Sequence, residues 1–355
     1  MKVELPEEAS GSTRIFGLDS IRFVCAVIVV FGHFGVFPDN AFGDSPSLAV
    51  KYLRSITSLL FNGPAAVIVF FVLSGFCINL PQTLRRAHTL DVWQFYARRF
   101  IRILIPAALA TCLYLVFSVD TSYPNYSVLW SVICEAVYYL LYPALLFVSS
   151  RIGWSLLVVF TTLVVFIVAL ANGAPLLASG NAYTALGLWT WLVGLPCWTL
   201  GCWLAENRSR FPLVGWRSIW LMRGSLFALT VILRIVKFHA HGVLASNIVT
   251  LNILAFVVVV WIGLEVRYLR AQPPPRWLEW AGKWSYSLYL IHPLAVSIAI
   301  ASVNTSLWLH WVTVILGFML ALVFYYLVER PSHFLAQSFG RGKQYGVPAQ
   351  LALRQ

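Results

Sequence analysis

Charge is what this chain has least of. Of its 355 residues only 11% are Asp, Glu, Lys or Arg, where soluble domains carry ~25%. Acidic residues are the scarcer kind, 13 against 25 Lys plus Arg. Hydrophobic residues make up 60% and mean hydropathy is +0.79. These values exclude a globular enzyme with a large core and point to an integral membrane protein. No basic patch interleaved with aromatics is present, so the formal net charge of +12 does not argue for nucleic acid. The cations fall between apolar runs, as the positive-inside rule requires. The six cysteines show no C-x-x-C spacing and no zinc-like pairing with histidine. They read as small hydrophobes, and no metal is expected. The first residues, MKVELPEEASGSTRIFGLDS, are polar and acidic, unlike a cleaved leader. There is no internal repeat and no low-complexity segment.

What is present is a series of apolar runs of ~20 residues, the length that spans a bilayer. Ten are expected, near residues 19–37, 62–80, 99–118, 129–149, 153–171, 184–204, 220–238, 246–265, 284–302 and 309–328. With the N-terminus cytoplasmic, all Lys and Arg except Lys51, Arg54, Arg234 and Lys237 fall on the cytoplasmic side. That asymmetry predicts ten spans with both termini in the cytoplasm. The expected fold is therefore all-α, a bundle of about ten transmembrane helices.

Ionisable groups inside spans are costly and are functional candidates by default. In GLDSIRFVCAVIVVFGHF (17–34) Arg22 enters from the cytoplasm and His33 follows ~16 Å further along a helix, in the outer half. On its own Arg22 reads equally well as a snorkelling anchor. In WSVICEAVYYLLYP (130–143) Glu135 lies in a span that enters from outside, which predicts that it shares the depth of His33. An imidazole and a carboxylate meeting there would make a base and its orienting partner, or a structural buried pair. In YARRFIRILIP (96–106) Arg99 and Arg102 stand one turn apart at a cytoplasmic mouth, with Arg98, Arg85 and Arg86 nearby. They read as positive-inside charge or, more sharply, as a phosphate clamp. In KWSYSLYLIHP (283–293) hydroxyls and His292 enter a span that Pro293 interrupts. An aromatic belt explains Trp284 and Tyr286 but not His292. Glu329 and Arg330 read as an interfacial ion pair ending the last span.

Taken together these segments resemble the acyltransferase-3 family of multi-pass membrane O-acyltransferases. The first-span Arg and His, FFVLSGFCI (70–78), ARRFIRILIP, WSVICEAVYYLLYP, WSYSLYLIHP and VERP look like the family's motifs in the family's order, over about residues 14–333. Ala136 stands where a second acidic residue is common, and Tyr138 where Phe is usual. The resemblance implies a transmembrane acyltransferase domain at 14–333 between cytoplasmic tails at 1–13 and 334–355. It implies transfer of an acyl group, usually acetyl from acetyl-CoA, to a hydroxyl of a carbohydrate or glycolipid such as a surface polysaccharide, at the cell (inner) membrane. On that reading His33 and Glu135 are catalytic, His33 as general base or as carrier of the acyl group and Glu135 as the group that orients it, and Arg22, Arg99 and Arg102 hold the CoA nucleotide. Ser74, Tyr139, Tyr289 and His292 line the substrate tunnel. Acceptor recognition falls to the outer loops around 38–61, 118–128, 172–183, 239–246 and 303–308. Membrane lipids and the carbohydrate acceptor are the expected partners, with no nucleic acid; the sequence carries no sign of oligomeric state. A secondary transporter with a His/Glu/Arg proton relay is the competing reading, although no paired repeats of the transporter kind are visible.

Overall fold

The computed structural model describes residues 15–37, 47–85, 90–119, 128–180, 182–239, 242–301 and 307–341. The 1–13 tail, Arg86 and most of the 334–355 tail lie outside the described residues. Among the described residues there is no strand. The helices are α1 (Leu18–Phe34), α2 (Leu48–Leu60), α3 (Gly63–Arg85), α4 (Val92–Val116), α5 (Leu129–Ala171), α6 (Gly173–Ala178) and α7 (Thr190–Asn207). They continue with α8 (Trp216–His239), α9 (Asn247–Ala271), α10 (Arg276–Gly282), α11 (Ser285–Ala301), α12 (Leu307–Phe324) and α13 (Arg330–Arg341).

Seven helical stretches are long and apolar enough to cross a membrane. Two spans were expected within 129–171. They run as one 43-residue helix broken at Gly153, whose φ of 80° and ψ of 155° only glycine adopts readily. Helices α1 and α11 have 17 residues each. Helix α2 lies within the 38–61 stretch expected to be an outer loop. Its 13 residues are too few to span, and Leu48, Tyr52, Leu53 and Ile56 face outward.

Small residues set the core. A Cβ on Gly75 would lie 2.0 Å from the Trp198 carbonyl, and one on Gly201 would lie 2.1 Å from that of Val72. Helices α3 and α7 therefore touch backbone to backbone, the close approach that membrane helices use in place of a hydrophobic drive. Trp154, Trp198, Tyr138 and Tyr142 fill the space around that crossing.

Proline supplies the second rule of assembly. A helix proline opens the preceding turn and weakens its carbonyl ladder, and in hydrocarbon those carbonyls need another donor. At four such prolines a neighbouring helix provides one, three residues upstream each time. Tyr286 Oη donates to Ile103 O (3.0 Å) before Pro106, and Tyr96 Oη to Leu140 O (2.8 Å) before Pro143. Asn252 Nδ2 donates to Val193 O (3.1 Å) before Pro196, and Tyr114 Oη to Leu290 O before Pro293. Pro293 thus bends α11 without interrupting it.

Candidate functional site

The site is built from the start of α1 upward. Gly17 takes a left-handed turn (φ 97°). Glu279 of α10 accepts Gly17 N (2.8 Å), Ser20 N (3.1 Å) and Ser20 Oγ (2.8 Å). This carboxylate satisfies amides that a helix N-terminus leaves open. It fixes the helix that carries Arg22. The Arg22 guanidinium pairs with Asp19 Oδ1 at 2.7 Å and donates to Cys77 Sγ at 3.2 Å.

Helix α4 brings Arg99 and Arg102 to the same end. Arg99 lies over the rings of Phe95 (5.9 Å) and Tyr139 (6.0 Å), and Glu135 acts on it electrostatically. Arg98 Nε is buried without a partner. Arg102 Nε donates to His333 Nε2 at 3.1 Å, and Glu329 Oε1 stands 3.6 Å from that nitrogen. A π-helical turn, Tyr325–Glu329, delivers this carboxylate inward; such turns recur at functional sites. Glu329 is 2% exposed and accepts Ser287 N (3.0 Å) and Ser287 Oγ (2.5 Å). The expected Glu329–Arg330 pair is corrected accordingly: Arg330 lies over Tyr326 and Phe334 instead.

Above the arginines sits Glu135. Its Oε1 accepts Ser74 Oγ at 2.6 Å and Tyr139 Oη at 2.5 Å, and Trp198 Nε1 donates to Ser74 Oγ at 3.3 Å. In FFVLSGFC, then, Ser74 orients the glutamate while Gly75 packs on α7. One turn back along α5, Ser131 Oγ lies 2.6 Å from Tyr289 Oη, which also donates to Val128 O at 3.2 Å. The Tyr289 and His292 rings are 6.0 Å apart, and the His292 and His33 rings 5.1 Å. Arginines, glutamate, hydroxyls and imidazoles thus form one polar column through an apolar bundle.

His292 is held in a defined form. Pro293 has no N–H, so Tyr289 O lacks its usual helix donor. His292 Nδ1 fills the gap, donating to Tyr289 O at 2.8 Å and lying 3.3 Å from Leu288 O. The proton therefore sits on Nδ1, and Nε2 keeps its lone pair. That Nε2 is buried and without a partner, on a side chain 1% exposed. His33 is exposed.

The expected meeting of His33 and Glu135 does not occur. Among the described residues no hydrogen bond or ion pair joins them. Gly32 packs on Phe61 O and Gly63, which puts His33 level with the start of α3. Ser74, and Glu135 with it, lies 11 residues further down α3, ~16 Å away along the axis. The reason is that α5 begins inside the protein: Val128 is 2% exposed and bonded to Tyr289. Counting turns from a loop at the membrane surface placed Glu135 too high.

Three residues near the column went unread in the sequence. Glu279 and His333 look like interfacial polar residues, and only their three-dimensional partners mark them. Arg234 of α8 did carry a signal, because it lies among the few cations on the minority side. Its Nη1 donates to Phe61 O at 2.5 Å, the carbonyl on which Gly32, next to His33, rests. A groove of about 490 Å³ between α4 and α5 has Thr111 as its one polar lining residue and offers little to a phosphate. Among the described residues no group of three His, Cys, Asp or Glu is placed to hold a metal ion.

The described helices thus carry Arg22, Arg99 and Arg102 at one end of a polar column and the His33–His292 pair at the other. The Acyltransferase domain model matches residues 15–330, nearly the whole chain, and the chain belongs to the acyltransferase-3 family. No curated protein and no solved structure matches it. It is a membrane acyltransferase of the multi-pass kind, and the transporter reading is not favoured.

Proposed function

We propose that the protein carries an acetyl group from cytoplasmic acetyl-CoA to a carbohydrate hydroxyl presented on the opposite face of the cell (inner) membrane. The supporting observation is the column itself: Arg22, Arg99 and Arg102 stand at one end and the His33–His292 pair at the other, with Glu135, Ser74, Tyr139, Ser131 and Tyr289 between. The catalytic unit is taken as 14–333, with both tails cytoplasmic. Adding α1 and α11, and dividing α5 at Gly153, brings the seven long apolar stretches to ten spans.

Arg99, Arg102 and Arg22 hold the nucleotide phosphates, a task that suits guanidinium forks. The thioester arm runs along the column, past Glu135. Because Glu135 contacts Tyr139 and lies in the field of Arg99, its role moves from orienting His33 to shaping the donor passage. At the far end His33 takes the proton of the acceptor hydroxyl as that oxygen attacks the thioester carbonyl. The C–S bond breaks, and the protonated His33 returns the proton to the departing CoA sulfur. His292 stands beside His33, ring centroids 5.1 Å apart, with an open lone pair on Nε2. Stabilising the developing oxyanion falls to a hydroxyl of the passage such as that of Tyr289, which must release Val128 O to donate there.

The test is release of free CoA from acetyl-CoA by purified protein in nanodiscs, with cell-envelope glycans as acceptor. Release that disappears in His33→Ala and in Arg99→Ala/Arg102→Ala supports the reading. Full release in folded His33→Ala sinks the catalytic assignment.

A further inference from the structure

The four cations that break the positive-inside pattern, Lys51, Arg54, Arg234 and Lys237, are not scattered. Two lie on α2 and two on the last turns of α8, and α2 packs against α8. Arg234 reaches the start of α3, where Phe61 O accepts its Nη1 at 2.5 Å and Asn62 Nδ2 donates to Thr230 O at 2.9 Å. That bond uses one of five guanidinium donors. Arg234 Nε is buried and unpartnered. Among the described residues no carboxylate pairs with Arg234 or Lys237, and Lys237 lies in the field of Arg234. Arg22, by contrast, is paired with Asp19, and Arg223 with Glu265. Both cations lie over the Phe238 ring, at 6.0 and 5.2 Å, but a half-buried pair with no carboxylate beside the candidate base is costly unless an anion completes it.

We infer that the acceptor is a phosphate-bearing carbohydrate whose phosphate docks on Arg234 and Lys237 and so brings its hydroxyl to His33. The inference rests on the acyl-transfer reading above and names the substrate class for its far end. Exposed Leu48, Tyr52, Leu53 and Ile56 on α2 place these cations beside the lipid headgroups, where a lipid-linked sugar phosphate would also sit. A phosphate of the bilayer itself offers the same chemistry, and the test separates the two.

The experiment measures binding of glucose 1-phosphate, with methyl glucoside as the uncharged control, to the full chain in phosphatidylcholine nanodiscs. Wild type is compared with Arg234→Gln, Arg234→Lys and Lys237→Gln, and acetyl-CoA binding is read on the same discs. The expected result is that glucose 1-phosphate binds wild type, weakens at least tenfold in Arg234→Gln and about threefold in Lys237→Gln, and binds Arg234→Lys at an intermediate level. Methyl glucoside should not respond to any variant. If Arg234→Gln does not fold, Lys237→Gln carries the comparison, since Lys237 makes no hydrogen bond to the bundle among the described residues. Equal binding by wild type and folded variants overturns the inference. So does loss of the Arg234-dependent signal when phosphatidylglycerol replaces phosphatidylcholine, because the cations then serve bilayer headgroups. Acetyl-CoA binding with no glucose 1-phosphate binding refutes this inference alone. Failure of acetyl-CoA to bind refutes the donor reading independently.

Discussion

The two ends of the polar column are charged alike and neutralised differently. At the arginine end Arg22 has Asp19, Arg102 has His333 with Glu329 behind it, and Arg99 has the Tyr139 ring with Glu135 in reach. At the histidine end Arg234 has a backbone carbonyl and the Phe238 ring, and Lys237 has the same ring, with no carboxylate on either among the described residues. A guanidinium already paired keeps its shape with the site empty and gives up little on releasing a ligand. One without a carboxylate is completed by its anion. The difference fits a donor that must leave after every turnover and an acceptor that must be chosen.

The largest test of this division is His33→Ala. It should lower transfer about 10³-fold, within the usual range for a general base, while acetyl-CoA affinity stays as in wild type by isothermal titration. Loss of acetyl-CoA binding in that variant would merge the two ends. Arg99→Ala should do the opposite and weaken acetyl-CoA about thirtyfold, the scale of a lost charge-assisted hydrogen bond. Glu135→Gln sharpens the boundary. If Glu135 belongs to the donor passage, KM for acetyl-CoA should move about tenfold with a smaller change in kcat. A pure kcat effect would return Glu135 to the histidine end. Glu329→Gln should be milder still, about threefold in acetyl-CoA affinity, because it acts through the position of Arg102. The smallest effect is expected from Tyr289→Phe, a few-fold fall in kcat with KM unchanged, since Ser131 retains Val128 O as a partner at 3.1 Å.

Much of this was visible before any coordinates. Arginines at one mouth, a histidine near the other end of the first helix, and a glutamate within an apolar run all follow from residue type and spacing. The depth of Glu135 did not, because helix counting assumes that every helix starts at the membrane surface, and α5 starts against Tyr289. Helix α2 escaped because 13 amphipathic residues give neither a span nor a turn signal. The tautomer of His292 was latent in the sequence as H-P: a proline frees a carbonyl four residues back, and the preceding histidine can reach it. Glu279 and His333 could not be foreseen, since each matters only through a residue more than two hundred positions away.

The contact between Tyr289 and the start of α5 has a consequence for the cell's energy supply. A file of polar groups from one face of a membrane to the other is a route along which protons could dissipate the voltage the membrane maintains. Ser131, Tyr289 and Val128 close that file at its waist, midway between the glutamate and the imidazoles. On the proposed reading the enzyme is in this sense also an insulator, and the donor's arm would plug the gap as it parts the seal.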